Sequence, residues 1–173
     1  SDQLFRELYA DVSLKPKDKK WKLNTGLQMV DYNQARFEQK GDFVNTLTPF
    51  AEWVYKFDRK KSIKAELSYM LTKRNYRLFG QEDPHPDKLQ DLGDFAWALI
   101  EFDIAPHWSF TVANMWNVDN DIHYPTVGVF YTLKVTRLSV IYAKQPAGIV
   151  RTGGVCRFEP AFSGMRLDIS TSF

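Results

Sequence analysis

The tightest constraint on this chain is an unbroken alternation over residues 164–173. Met165, Leu167, Ile169, Thr171 and Phe173 fall on one side of an extended segment, and Arg166, Asp168, Ser170 and Ser172 on the other. Successive side chains of a strand point to opposite faces, so a period of two sets an apolar and a polar face back to back. A helix would scatter the same residues around its circumference. The segment is predicted to be a β-strand with one greasy and one wet face, closing on an aromatic residue.

The same period recurs upstream. Within residues 4–14, Leu8, Ala10, Val12 and Leu14 share a side; from Trp21 onward, Leu23, Thr25, Leu27 and Met29 do so. A third strand, 46–57, aligns Leu47, Pro49, Ala51, Trp53, Tyr55 and Phe57, and a fourth aligns Ile63, Ala65, Leu67, Tyr69 and Leu71. A fifth carries Ala96, Ala98, Ile100, Phe102 and Ile104. In the sixth, 108–117, the phase is ambiguous, because Phe110, Val112 and Trp116 share a face with Asn114. A seventh aligns Val127, Val129, Tyr131 and Leu133, an eighth Leu138, Val140 and Tyr142, and the segment first described is the ninth. Pro49 lacks the N–H that a ladder needs, so a bulge or weakened pairing is expected there.

The connections sort by length. Residues 15–20, 58–61, 105–107 and 134–136 are short; 33–43, 75–93, 117–124 and 145–163 are long and polar, and the two kinds alternate. An up-and-down antiparallel sheet with all its long loops at one end fits this order, and outer-membrane barrels show the same asymmetry. Aromatic residues crowd the short-turn end: Trp21, Trp53, Tyr55, Phe57, Trp108 and Phe173. Side chains of this kind settle at a membrane–water interface.

Composition removes some alternatives. The 173 residues hold 23 basic and 21 acidic side chains for a net charge of +2, interspersed rather than blocked, which argues against a nucleic-acid partner. No apolar run is long enough for a spanning helix, yet a spanning strand needs only about 9–11 residues with every second one apolar. The start, Ser1-Asp2-Gln3, lacks the features of a secretory signal. An odd strand number, read from the long-loop side, does not close an even-stranded barrel. The expectation is therefore a barrel region over residues 1–173, incomplete at its N-terminus, with strands missed in 75–93 or 145–163 as the other explanation.

Two stretches carry a family resemblance. The terminal strand ending on Phe173 resembles the closing strand of bacterial outer-membrane barrels, whose last aromatic is read by the barrel-assembly machinery. Gln145-Pro146-Ala147-Gly148-Ile149 and Gly153-Gly154-Val155-Cys156-Arg157-Phe158-Glu159-Pro160-Ala161, leading into that strand, resemble an uncharacterised family of Bacteroidota outer-membrane β-barrel proteins. The match covers about the last thirty-five residues. The resemblance implies fold and location but no chemistry. It also implies a second cysteine five positions before Cys156, where this chain has Arg151.

Candidate chemistry is sparse. His85, His107 and His123 stand in no metal-ligand spacing. Asp119-Asn120-Asp121 lacks the glycine and distal glutamate of a calcium loop. His123 with Asp119 or Asp121 is the only acid–base pairing in reach, and no nucleophile stands beside it, so neither catalytic residues, metal nor cofactor are expected. The polar faces give lumen-lining candidates of mixed sign: Lys22, Glu52, Lys56, Lys64, Glu66, Glu101, Asp103, Arg137, Arg166 and Asp168, with Phe50, Phe95, Trp97 and Phe130 among them. Met165, Leu167, Ile169 and Phe173 form the candidate assembly signal.

These readings converge on an all-β, antiparallel up-and-down transmembrane barrel in a bacterial outer membrane. Its expected partners are outer-membrane lipid, the assembly machinery and other envelope proteins. The expected role is a channel or an envelope scaffold. The alternative is a soluble β-barrel holding an apolar ligand inside, with the apolar face turned inward.

Overall fold

The computed structural model describes residues 5–17, 20–33, 43–74, 93–146, 148–152, 155–159 and 161–171. Among them every regular element is a strand: β1 (Phe5–Leu14), β2 (Trp21–Asn33), β3 (Phe43–Lys56), β4 (Lys61–Arg74), β5 (Phe95–Ile104), β6 (Trp108–Asn117), β7 (Ile122–Leu133), β8 (Thr136–Gln145), β9 (Gly148–Thr152), β10 (Val155–Glu159) and β11 (Phe162–Thr171). Nine of these form one sheet in the order β1-β2-β3-β4-β5-β6-β7-β8-β11, all neighbours antiparallel; β9 and β10 pair separately as a hairpin. The nine strands of the sheet are those that the alternation picks out. The sheet is open. β1 and β11 remain its two edges, and both run toward the short-turn end.

The register explains why alternation was a reliable guide. Opposed residues share a face, and the apolar sets meet one another across every ladder: Leu8↔Met29, Leu27↔Pro49, Leu47↔Leu71, Leu67↔Ala98, Ile100↔Val112, Val112↔Val127, Val129↔Val140 and Val140↔Leu167. A slip of one residue in any strand would transfer its whole apolar set to the opposite face. The sixth strand takes the phase that carries Phe110, Val112, Asn114 and Trp116 together.

Two sequence readings change, and the alternative left open at Pro49 is decided. The β9–β10 hairpin lies within the expected long connection 145–163; its five-residue strands are too short for alternation to register. The β6–β7 connection is a tight turn over residues 118–121, so the separation into short and long ends is not strict. In that turn the buried Asn117 Oδ1 accepts the backbone N–H of Asn120 at 3.1 Å, and Asp121 takes a φ of 51°. Pro49 weakens pairing without a bulge. Leu47↔Leu71 and Phe50↔Ser68 keep one register, while Thr48 and Pro49 drop out of the β3–β4 ladder.

Candidate functional site

The sheet itself is the candidate site, because its two faces meet different surroundings. On one face, called outer here, large apolar side chains are exposed across all nine strands, including Leu8, Met29, Trp53, Leu67, Ile100, Val112, Val127, Val140 and Leu167. Among the described residues, only Phe5, Tyr9, Val135 and Phe162 of the exposed large hydrophobic residues lie elsewhere. On β2 the apolar stripe runs from Trp21 to Met29. That is about 30 Å of strand at about 3.4 Å per residue, or a little over 20 Å of height at the usual barrel tilt of about 35–45°.

The other face is partly enclosed. Ala113, Asn117, Tyr124 and Ser139 are buried on it, with Asn117 at 0% exposure. Ring contacts on this face join side chains of separate strands. Tyr9 of β1 stacks on Phe50 of β3 at 5.4 Å, across the intervening β2. Gly26 makes that contact possible: a Cβ there would lie 2.7 Å from Phe50 Cζ and 2.9 Å from the Asp11 Cα. Near the other edge, Phe130 bends over Gly128, and the Arg137 guanidinium lies 4.4 Å above the Phe130 ring.

All ten lumen-lining candidates lie on this inner face, and several are brought together. Glu52 bridges Lys22 at 3.8 Å and Lys64 at 3.7 Å; Lys64 also pairs with Glu66 at 2.6 Å. The two glutamates stand opposite each other in the ladder, and Glu101 opposes Lys64 from β5. Lys64 therefore sits among three carboxylates whose mutual repulsion it offsets. Glu101 accepts from Thr111 Oγ1 at 3.3 Å, and Asp103 from Ser62 Oγ at 3.3 Å. Arg166 Nε pairs with Asp168 at 3.0 Å along the same strand, and Ser139 Oγ donates to Asp168 at 3.4 Å. Arg137 engages Phe130, with no carboxylate paired to it among the described residues. Mixed charges that neutralise one another do not make a strongly selective ring.

The ends of the outer face differ in kind. At the short-turn end, aromatic rings form a near-continuous belt: Trp53–Tyr55 at 5.7 Å, Tyr55–Phe57 at 5.1 Å, Phe57–Phe102 at 6.4 Å and Trp108–Tyr131 at 4.8 Å. At the long-loop end the outer face turns polar. Arg6 pairs with Asp31, which accepts from Asn45 Nδ2 at 2.5 Å. Asn114 and the His123 ring are hydrogen-bonded at 2.9 Å, which satisfies the amide that looked out of place on an apolar face.

The His–Asp pairing considered from sequence is not assembled. His123 contacts Asn114 and stacks on Trp116 at 5.4 Å. Asp121 accepts from Trp116 Nε1 at 3.1 Å, and Asp119 accepts from the Asp94 backbone N–H at 3.0 Å. Among the described residues, His, Cys, Asp and Glu form no group that would hold a metal ion. Of the assembly-signal candidates, Met165, Leu167 and Ile169 share the exposed outer face of β11, while Phe173 lies outside the described residues. Cys156 stands directly opposite Arg151 in the β9–β10 ladder, the position where the family resemblance places a second cysteine.

The signal that sequence reasoning missed is the row of junctions between short hairpins. Lys56 N–H donates to Lys20 O at 2.7 Å, Ala105 N–H to Lys60 O at 2.6 Å and Thr132 N–H to His107 O at 2.8 Å. His107, which fits no metal site, thus anchors one junction, and its Nδ1 lies 2.8 Å from Thr132 O.

Comparison with known proteins places the whole chain in one family. Residues 1–173 match DUF6029, a family of unknown function, and the chain belongs to it. No curated protein and no solved structure matches the chain.

Proposed function

We propose that this chain is part of an outer-membrane β-barrel that meets lipid with its outer face and has a channel or envelope-scaffold role rather than a catalytic one. The observation that carries this reading is the inverted partition of the two faces. Large apolar side chains are the exposed ones, and the charged network sits on the enclosed face. In water that arrangement leaves a large apolar surface uncovered, whereas in a bilayer it lowers the transfer free energy while the ladder satisfies the backbone. The belt of aromatics at one end and the polar rim at the other bound a stripe of suitable height.

Closing the sheet requires further strands between β1 and β11, since an open edge does not persist in hydrocarbon. The inner face, with its paired charges and the Tyr9–Phe50 stack, fits a partly filled interior of weak ion selectivity.

The test is partition and insertion of the purified protein. A lipid-facing barrel requires detergent or vesicles, floats with lipid in a density gradient and shows trypsin-resistant β-structure there. A monodisperse species in plain buffer, with its outer-face leucines protected from solvent, would point instead to an apolar ligand site and remove the membrane reading.

A further inference from the structure

Charge is spread unevenly along this chain. Residues 15–20 and 56–61 hold eight basic and two acidic side chains, a surplus of six against +2 for the whole sequence, so the remainder is net acidic. The two segments close neighbouring hairpins, β1–β2 and β3–β4, at the short-turn rim. Lys15, Lys17, Lys56, Arg59, Lys60 and Lys61 are exposed there, and among the described residues none of these six is in an ion pair. Asp103, opposite Ser62 in the β4–β5 ladder, keeps its charge, and counting it lowers the surplus to five. One rung further in, Lys22 and Lys64 are paired with glutamates, and Glu101 opposes Lys64. An anion drawn to the rim therefore meets a wall with more carboxylates than cations behind it, which favours docking at the surface over entry.

The rim is also held in shape. Lys56 N–H donates to Lys20 O at 2.7 Å and joins the two hairpins. Within the second turn, Asp58 Oδ1 accepts the backbone N–H groups of Lys60 at 2.6 Å and Lys61 at 2.9 Å. The cations thus project from fixed backbone positions, which lowers the ordering cost of binding. They do not gather on one face. Ladder parity puts Lys56 on the enclosed side and Lys61 on the outer side, and the other four lie in the connections. A headgroup beside the outer wall would meet only part of this set, whereas a chain lying across the tips would meet all of it. Four strands span about 15 Å at about 4.8 Å apart, the reach of about five residues of extended chain.

We propose that the rim of these two hairpins is a docking surface for an extended acidic segment, rich in Asp or Glu, of another protein. This gives the scaffold role a class of partner, and it does not require the outer face to meet lipid.

The experiment measures fluorescence anisotropy of labelled hexaglutamate and hexaglutamine with the full chain in neutral detergent. Hexaglutamate should bind about tenfold tighter or more at about 0.1 M salt, with the gap shrinking at about 1 M. Arg59→Gln/Lys60→Gln and Lys15→Gln/Lys17→Gln should each weaken hexaglutamate binding about fivefold; they keep the backbone N–H groups that Asp58 holds. Lys134→Gln/Lys144→Gln removes the same charge away from these hairpins and should stay within about twofold of wild type. Equal weakening by all three double variants would reveal general charge attraction and overturn the site, as would equal binding of the two peptides by the wild type. Glycerophosphoglycerol, a phospholipid headgroup without its chains, should not displace hexaglutamate at matched ionic strength. Displacement at equal concentration would assign the rim to lipid headgroups and overturn the protein partner. Flotation with lipid is a separate measurement, so either reading can fail without the other.

Discussion

Adjacent rungs of one ladder carry opposite chemistry. In β3–β4 the pair Ala51↔Leu67 lies next to Glu52↔Glu66. Leu67 is 61% exposed, while the side chains of Glu52 and Glu66 are 29% and 30% exposed. A sheet designed for water would reverse these values, since charged side chains are normally the accessible ones. The two faces thus differ in what holds them. The inner face is stabilised by its own contacts, the outer face by whatever medium touches it.

The sharpest way to break this comparison is a pair of neighbouring substitutions on β11. Leu167 is 75% exposed on the outer face, and Arg166 points to the inner one, bonded to Asp168. Leu167→Arg is expected to cost about 2–4 kcal/mol in a bilayer and to abolish membrane assembly. Arg166→Leu removes only an exposed ion pair and should assemble nearly normally. Membrane-fraction yield measures both, and equal yields would contradict the assigned facing.

Packing on the inner face is tested at Gly26. Gly26→Ala pushes a methyl group into the Phe50 ring and the backbone of β1, so the Tyr9–Phe50 stack must open. An overpacking cost of about 1–3 kcal/mol follows, read as a lower urea midpoint for the vesicle-bound protein. The charge network ranks lower. Glu52→Gln weakens contacts to Lys22 and Lys64, both more than about a third exposed or close to it, and a loss of about 0.5–1 kcal/mol is expected. That loss should shrink in high salt, which separates it from a packing effect. The smallest effect is at the β7–β8 turn, where Lys134 adopts a φ of 54°. Lys134→Gly should raise stability by up to about 1 kcal/mol in thermal unfolding, since glycine tolerates that conformation.

The strands were legible because each has an apolar set on every second residue. Where that pattern fails, so does the reading. β2, β3 and β4 extend to Asn33, back to Phe43 and on to Arg74, beyond the apolar stripe, and polar pairs such as Arg6–Asp31 and Asp31–Asn45 replace hydrophobic ones there. Likewise β7 begins at Ile122, inside the connection expected over 117–124, and runs through Tyr124 and Pro125. Pro125 opposes Asn114 on β6, and β8 pairing starts only at Thr126, so its missing N–H faces no ladder partner. The lumen-lining residues were legible as a set, because facing follows from parity. Their pairing was not: nothing in the spacing says that Glu52 lies between Lys22 and Lys64, since that depends on register across three strands.

The bonds that cross between short hairpins carry a mechanical consequence. Each of the three junctions, β2 to β3, β4 to β5 and β6 to β7, is stitched by a backbone N–H on one hairpin and a carbonyl on the other. Such a hem resists spreading, because widening the mouth at that end means pulling several stitches at once. Deuterium uptake at Lys56, Ala105 and Thr132 should accordingly be among the slowest of any turn-proximal amides, and any opening or breathing of the wall should start at the opposite lip.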